Sequence, residues 1–132
     1  MIVYMAISDQ SVTPAEVRAF FEAKALRRQV LLDKRFAEAS RDCALILEMI
    51  RNDYKPVRIW QWGSLLRRER FSEISDIDIA VEGVNEPRFF FEMYGKASGL
   101  TTFPLDLVDI DAIEPVHAES IRTRGRLVYE RT

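Results

Sequence analysis

The sequence predicts an α+β (α/β) fold, in which helices flank a small mixed β-sheet and a helical extension precedes it at the N-terminus. Two observations predict this class. A stretch free of glycine and proline runs from Pro14 to Pro56, as expected of a long helix. Beyond Pro56, short apolar runs rich in β-branched residues alternate with segments of helical spacing, and glycines and prolines separate them.

Size and charge limit the classes of function. The chain has 132 residues, a length that suits a single domain over 1–132. Within it we expect an N-terminal helical extension over 1–35 and a core over 36–132. The net charge is −2, so the chain lacks the global positive field that draws in a nucleic-acid backbone. A processive polymerase that holds a nucleic-acid template is therefore disfavoured.

The cysteine content and the N-terminus bear on location. Cys43 is the one cysteine, which excludes an internal disulfide and fits a reducing cytoplasm. Residues 1–7 carry no basic region and are too short for a signal or membrane segment. We therefore expect a cytoplasmic protein with no membrane partner, in which residues 1–7 form an ordinary terminus or a short strand.

The first predicted element is a helix that begins at Pro14. Thr13 can cap it, Pro14 suits its first turn, and Glu16 stands three residues after the cap. Helical spacing of apolar residues predicts a buried stripe in the second half of this helix, formed by Phe36, Ala39, Cys43, Ile46, Leu47 and Ile50.

The first half of this helix has a less regular pattern. Val17, Phe20 and Phe21 begin an apolar stripe, which Arg27-Arg28-Gln29 interrupts. Two alternatives follow: two helices with a bend near 27–35, or one helix whose first half projects from the core. In either case the apolar side chains need another surface to cover them, and a homodimer through the N-terminal helices would provide one.

The remaining elements follow from alternation, helical spacing and turn residues. The predicted order is strand 57–62, short helix 65–70, strand 76–81, helix 88–96, strand 105–110, helix 114–123 and a short strand 127–129. This order of helices and strands predicts helices packed on a small mixed sheet.

Acidic residues in two of these strands point to a metal site. Because side chains alternate along a strand, Asp76 and Asp78 project from the same face. Two such carboxylates repel each other unless a cation lies between them, and hard oxygen ligands suit Mg²⁺ or Mn²⁺. A neighbouring strand would bring Asp106 to the same ions. Asp109 and Asp111 are alternatives, but apolar residues flank Asp106 on both sides, where a carboxylate is hard to explain structurally.

The segment after the first strand predicts an anion site. Gly63-Ser64 between a strand and a predicted helix presents backbone N–H groups and a hydroxyl to an anion. Glycine allows close approach of the backbone, which suits the β- and γ-phosphates of a nucleotide. Arg67, Arg68 or Arg70 could add positive charge, although a solvated helix face explains such arginines equally well.

The specificity of these patterns lies in their combination. An Asp-x-Asp pair alone is common on surface strands, and Gly-Ser alone usually marks a turn. Glycine-serine, a short helix, Ser75-Asp76-Ile77-Asp78 on a strand and Asp106 in an apolar strand, in that order, indicate a site for moving a nucleotide.

These motifs resemble the minimal nucleotidyltransferase (MNT) branch of the DNA polymerase β-like nucleotidyltransferase superfamily. The resemblance covers residues 57–130 and depends on Gly63-Ser64, on Ser75 to Asp78, on residues 104–109 and on a closing strand over 125–130. Two departures stand out. Leu65-Leu66-Arg67-Arg68 replaces the Arg-x-Arg-Gly of the branch, and the gap to the first aspartate is one residue longer than usual.

The resemblance implies a magnesium-dependent enzyme that transfers a nucleoside monophosphate, AMP from ATP as the first choice, to a hydroxyl and releases pyrophosphate. Asp76 and Asp78 would hold two Mg²⁺ ions as catalytic metal ligands. Asp106 would hold the catalytic metal and orient the acceptor hydroxyl. Nucleotide binding is assigned to Gly63, Ser64, Arg67 and Ser75.

The resemblance also implies a partner. Members of the branch are often encoded beside a helical HEPN toxin and act as its antitoxin, in some pairs by adding AMP to a toxin tyrosine. The resemblance thus leaves two functions open for this chain. One is a protein adenylyltransferase-like antitoxin, and the other is a non-catalytic antitoxin that neutralises a HEPN toxin by direct contact.

Overall fold

The helix predicted from Pro14 forms without interruption. The computed structural model describes residues 11–132, and its first helix, α1, spans Pro14–Asp53. The predicted capping box begins it: the Glu16 backbone N–H donates to Thr13 Oγ1 and the Thr13 N–H donates to the Glu16 carboxylate, each at 3.1 Å. The alternative of one uninterrupted helix is therefore confirmed. The terminal segment 1–7 lies outside the described residues.

The chain divides into two compact units, with the boundary between Lys34 and Arg35. In the described part of the first unit, α1 exposes six large apolar side chains within its helical residues: Val17, Phe20, Phe21, Leu26, Val30 and Leu31. The single domain predicted over 1–132, with an extension over 1–35, stays a prediction.

The second unit contains the sheet. Four strands pair in the order β3-β2-β1-β4 within the described residues. Their bounds are Arg58–Trp62 for β1, Ile77–Glu82 for β2, Leu105–Asp109 for β3 and Arg126–Glu130 for β4. Strand β1 is antiparallel to both β2 and β4, whereas β2 and β3 are parallel. The predicted mixed sheet flanked by helices is confirmed.

Two further helices complete the second unit, α2 over Pro87–Ser98 and α3 over Pro115–Arg124. Helix α2 connects the parallel strands β2 and β3, which a tight hairpin could not join. Helix α3 lies between β3 and β4 in the chain. Gly125 alone separates its last residue from the start of β4.

Alternation along the strands creates two apolar clusters. The larger cluster joins inward residues of the sheet to α1 and α2, among them Ile46, Ile59, Ile79 and Met93. The smaller cluster contains Ala80, Ile110, Ala118 and Ile121, with Trp60 and Trp62 packed against it. Because Asp78 and Ala80 are two residues apart on β2, alternation puts the Asp78 side chain on the Ala80 face of the sheet.

The predicted short helix over 65–70 is wrong. Two separate 3₁₀ turns, Ser64–Leu66 and Arg68–Arg70, occupy this stretch, and Arg67 between them is extended with φ −138° and ψ 127°. So short a helix has little stability of its own. The extended Arg67 lets both Leu65 and Phe71 reach the core, where the Phe71 ring packs edge-on against Phe36 at 5.4 Å.

Candidate active site

Two of the predicted carboxylates meet across the parallel strands. In the register of β2 and β3, Asp78 lies opposite Asp106, and the neighbouring pairs are Ile77 with Leu105 and Ile79 with Leu107. Residues at paired positions of adjacent strands project from the same face, so both carboxylates do so here. Asp76 immediately precedes β2, and its charge acts on the Asp78 carboxyl group.

The position of Asp106 separates it from the alternatives. Asp109 pairs with Val81 near the opposite end of the two strands, and its Oδ1 accepts a hydrogen bond from the Asp111 N–H at 3.0 Å. Asp111 accepts another from the Gly83 N–H at 2.9 Å. Both therefore stabilise the turns at that end of the sheet, away from Asp76 and Asp78.

Burial and charge shape the titration of Asp78. Its side chain is 8% exposed, and Asp76 and Asp106 are half-buried. Desolvation first, and then the charges of Asp106 and Asp76, raise its pKa from 3.8 to about 7. A cation beside Asp78 would lower this pKa again, because its charge offsets both the lost hydration and the repulsion between the carboxylates.

The donor chemistry of the site fits a divalent cation. Carboxylate oxygens are hard ligands of the kind that Mg²⁺ takes, and the three aspartates supply them from one region of the sheet. Within residues 11–132, however, no three His, Cys, Asp or Glu side chains form a ready-made metal cage. The carboxylates would therefore need to reorient around an ion.

Gly63 connects the carboxylates to the turn after β1. Its backbone has φ 81° and ψ −165°, a region that is essentially restricted to glycine. A Cβ built on Gly63 would overlap the Asp78 carboxylate. The turn therefore runs directly against Asp78, and only the residue without a side chain leaves that carboxylate in place.

A hollow of about 610 Å³ opens beside this turn. Three of the four residues predicted to bind nucleotide line it, namely Gly63, Ser64 and Arg67. Arg70, which the sequence analysis named as a possible source of positive charge, also lines it. The structure further brings residues to it that the sequence analysis did not assign: Trp62, Leu66, Thr123 and Arg124. Thr123 and Arg124 are the ones that no motif indicated, because they belong to α3, far along the chain from Gly63.

Ser75 has a different environment. Its Oγ accepts a hydrogen bond from the Ser72 N–H at 2.9 Å, and its own N–H donates to the Ser72 carbonyl at 3.2 Å. These contacts close the turn that leads into β2. Ser75 is not among the residues that line the hollow, so its assignment to nucleotide binding remains a prediction.

The sequence of residues 45–132 decides the family. The model of the family described as "Polymerase beta, Nucleotidyltransferase" matches residues 45–132. The chain belongs to this nucleotidyltransferase family. The match includes the end of α1, the whole sheet and every residue that lines the hollow.

Solved structures similar to this nucleotidyltransferase come from toxin–antitoxin systems. A toxin–antitoxin with AMP-PNP is 25% identical, with a TM-score of 0.56, and the match covers 68% of this chain and 74% of that one. The toxin–antitoxin MntA–HepT is 23% identical, with a TM-score of 0.52 and coverage of 70% and 73%. A tri-AMPylated Shewanella oneidensis HEPN toxin in complex with an MNT antitoxin gives the same four values.

The family match confirms the nucleotidyltransferase superfamily that the sequence predicted, and these likenesses show that the fold is shared. A comparison with curated proteins finds no match. Among residues 11–132, no helix of this nucleotidyltransferase has the length and apolar character needed to cross a membrane.

Proposed function

We propose that this nucleotidyltransferase is a Mg²⁺-dependent enzyme that transfers AMP from ATP to a hydroxyl of a protein or small molecule. We propose further that it is the antitoxin of a HEPN/MNT pair and modifies its toxin. The observation that carries the catalytic part is the pairing of Asp78 with Asp106 beside the turn at Gly63. This pairing supports a site in which acidic metal ligands adjoin the turn that lines the hollow with Gly63 and Ser64.

The residues present suit the two halves of such a reaction. Asp76, Asp78 and Asp106 would hold the metal, which supplies charge neutralisation at the phosphates and a lower pKa for the attacking hydroxyl. Ser64 and Arg67 line the hollow, where the backbone and hydroxyl of Ser64 and the guanidinium of Arg67 would bind phosphate oxygens. In the transfer, the acceptor oxygen forms a bond to the α-phosphorus and the bond to the β-phosphate oxygen breaks.

The same step also moves a proton from the acceptor and releases pyrophosphate. The acceptor hydroxyl loses its proton to a carboxylate, for which Asp106 is our choice, and pyrophosphate leaves with the electron pair of the broken bond. Asp106 is half-buried, so it can meet an acceptor that approaches from solvent.

The toxin–antitoxin part of the proposal draws on the comparisons. One similar structure contains AMP-PNP, and another contains a tri-AMPylated HEPN toxin with an MNT antitoxin. An ATP-like nucleotide and an AMP-modified partner in proteins of this fold support ATP as donor and a HEPN toxin as acceptor.

Labelled ATP tests the catalytic part. The chain, Mg²⁺ and a HEPN toxin encoded beside it are incubated with α-³²P-labelled ATP, and label on the toxin is measured. We expect labelling by the wild type and none by the Asp76→Asn/Asp78→Asn double variant, which keeps side-chain size but removes both charges. Equal labelling by the two proteins, or none by either, would contradict the enzymatic proposal.

A second function, neutralisation by contact alone, is favoured by a separate observation. Phe20 and Phe21 are each 59% exposed in the first unit, and Leu31 is 66% exposed, which is unusual for such apolar residues on one helix. A toxin or a second copy of the chain could cover them. If contact alone neutralises the toxin, the Asp76→Asn/Asp78→Asn variant would still rescue toxin-expressing cells, whereas a chain lacking residues 1–35 would not.

A further inference from the structure

Part of the wall of the hollow comes from the end of helix α3, through Thr123 and Arg124. Strands β1 and β4 are antiparallel, with Gln61 opposite Arg126. Gly63 follows Gln61 by two residues, directly after the end of β1, and Arg124 precedes Arg126 by two residues. The register therefore brings Arg124 and Gly63 to the same end of the sheet, although the two are far apart in sequence.

Gly125 allows this close approach. A Cβ at Gly125 would lie 2.5 Å from the Ile121 carbonyl oxygen and 3.0 Å from that of Gln61, so only glycine fits between α3 and β1. With the end of α3 held against β1, Thr123 and Arg124 line the hollow together with Arg70.

The charge of this wall is positive. Arg67, Arg70 and Arg124 line the hollow, and no aspartate or glutamate of residues 11–132 does. Two arginines elsewhere in the unit do have acidic partners: Arg58 contacts Glu82 and Glu130, and Arg122 contacts Glu82 at 2.9 Å. Among residues 11–132, the side chains of Arg70 and Arg124 form neither an ion pair nor a hydrogen bond, although the Arg70 backbone N–H donates to the Arg67 carbonyl at 3.1 Å. Guanidinium groups gathered around a hollow without counter-ions suit a phosphate-bearing ligand.

We infer that Arg70, Thr123 and Arg124 form a subsite for the terminal phosphate of a nucleoside triphosphate in the hollow that Ser64 also lines. The inference rests on the proposed function and deepens it, because it makes this wall the part of the site that distinguishes a triphosphate from a monophosphate. It also accounts for Leu65-Leu66 directly after Gly63-Ser64, where the chain has no arginine. Arg70 of the second 3₁₀ turn and Arg124 of α3 supply positive charge at the hollow instead.

Calorimetric titration tests the subsite. Wild type, Arg124→Gln and Arg70→Gln are titrated in Mg²⁺ with a non-hydrolysable ATP analogue, with AMP and with pyrophosphate. For each variant we expect affinity for the ATP analogue to fall by about tenfold or more, since a charge-assisted contact is lost, while AMP affinity stays within about twofold. Pyrophosphate affinity that falls together with that for the analogue supports a polyphosphate subsite; unchanged pyrophosphate affinity assigns the contact to the intact triphosphate.

Two matched variants serve as controls for this titration. Arg126→Gln removes an exposed arginine that lines a separate cavity with Phe36 and Cys43, and it should leave all affinities unchanged. Arg124→Lys keeps the charge and should recover part of the affinity for the analogue. If Arg124→Gln binds the analogue as the wild type does, or weakens AMP equally, the subsite is wrong while the proposed function stands. If the wild type binds no nucleotide, both fail.

Discussion

Asp78 of β2 and Asp106 of β3 lie directly opposite each other on parallel strands, and the Asp78 carboxylate also abuts Gly63. This relationship joins three features at one end of the sheet: paired carboxylates, a turn of glycine-only backbone and the hollow beside it. Parallel pairing makes it possible, because equivalent ends of β2 and β3 then come together after the crossover through α2.

Separate replacement of Asp106 and Asp109, both on β3, should distinguish a catalytic role from a structural one. We expect Asp106→Asn to lower nucleotidyl transfer by at least about 100-fold, because it removes a charge from the paired carboxylates. The transfer rate of Asp109→Asn, on the same strand, should stay within about threefold of the wild-type rate. The Asp109 carboxylate accepts a hydrogen bond from the Asp111 N–H in the turn after β3, away from the paired carboxylates. Transfer rates at saturating ATP measure both. Equal losses would mean that Asp106 has no special role.

The turn after β1 should not tolerate a side chain. Gly63→Ala meets both a glycine-only backbone conformation and the Asp78 carboxylate, so the free energy of unfolding should fall by about 2 kcal/mol or more and nucleotide binding should be lost. Urea denaturation measures the first effect. Gly95→Ala is the matched control: nothing lies within 4 Å of its added Cβ in helix α2, and we expect a gain of about 0.5–1 kcal/mol. A neutral Gly63→Ala would contradict the described turn.

Stability should depend on pH through Asp78. Its pKa rises from 3.8 to about 7 on folding, so between these values the folded chain binds more protons than the unfolded chain. Stability of the metal-free protein therefore decreases as pH rises from about 4 to about 7. Asp78→Asn removes this penalty. In EDTA it should match the wild type at pH 4 and have a Tm higher by on the order of 5 °C at pH 8.

Thermal melts with and without Mg²⁺ complete this comparison. Magnesium should raise the Tm of the wild type at pH 8, because it stabilises the charged carboxylates, and should have little effect on Asp78→Asn. Asp53→Asn, an exposed position on α1, should show neither the gain at pH 8 nor a change in the magnesium effect. A wild-type advantage over Asp78→Asn at pH 8 in EDTA would refute the assignment.

The apolar residues of the first unit should be needed for association. We expect Phe20→Glu/Phe21→Glu to abolish self-association or toxin binding, because two carboxylates replace rings that are exposed in the single chain. Light scattering after size-exclusion chromatography, with and without toxin, measures this. Glu22→Ala/Lys24→Ala on the same helix turns is the control and should leave association intact. Unchanged association in the phenylalanine variant would leave these residues without a partner role.

Sequence patterns predicted the order of helices and strands well, because those signals are local. The capping box at Thr13, the alternation in β2 and the breaks at Pro56 and Gly125 each act within a few residues. The helix prediction for the stretch after Ser64 was wrong because the structure there is not decided locally. Whether residues 65–70 form a helix or two turns depends on Leu65 and Phe71 both reaching the core, which is a tertiary requirement.

The sequence by itself determined which residue types could act: aspartates in apolar strands and a glycine-serine turn before a run of arginines. Their alternation already placed Asp76 and Asp78 on one face. Only the tertiary structure decided that Asp106, not Asp109, is the neighbour of Asp78, and that Arg124 reaches the hollow at Gly63. Strand register is the physical reason, because hydrogen bonds between strands, and not spacing along the chain, set which side chains meet.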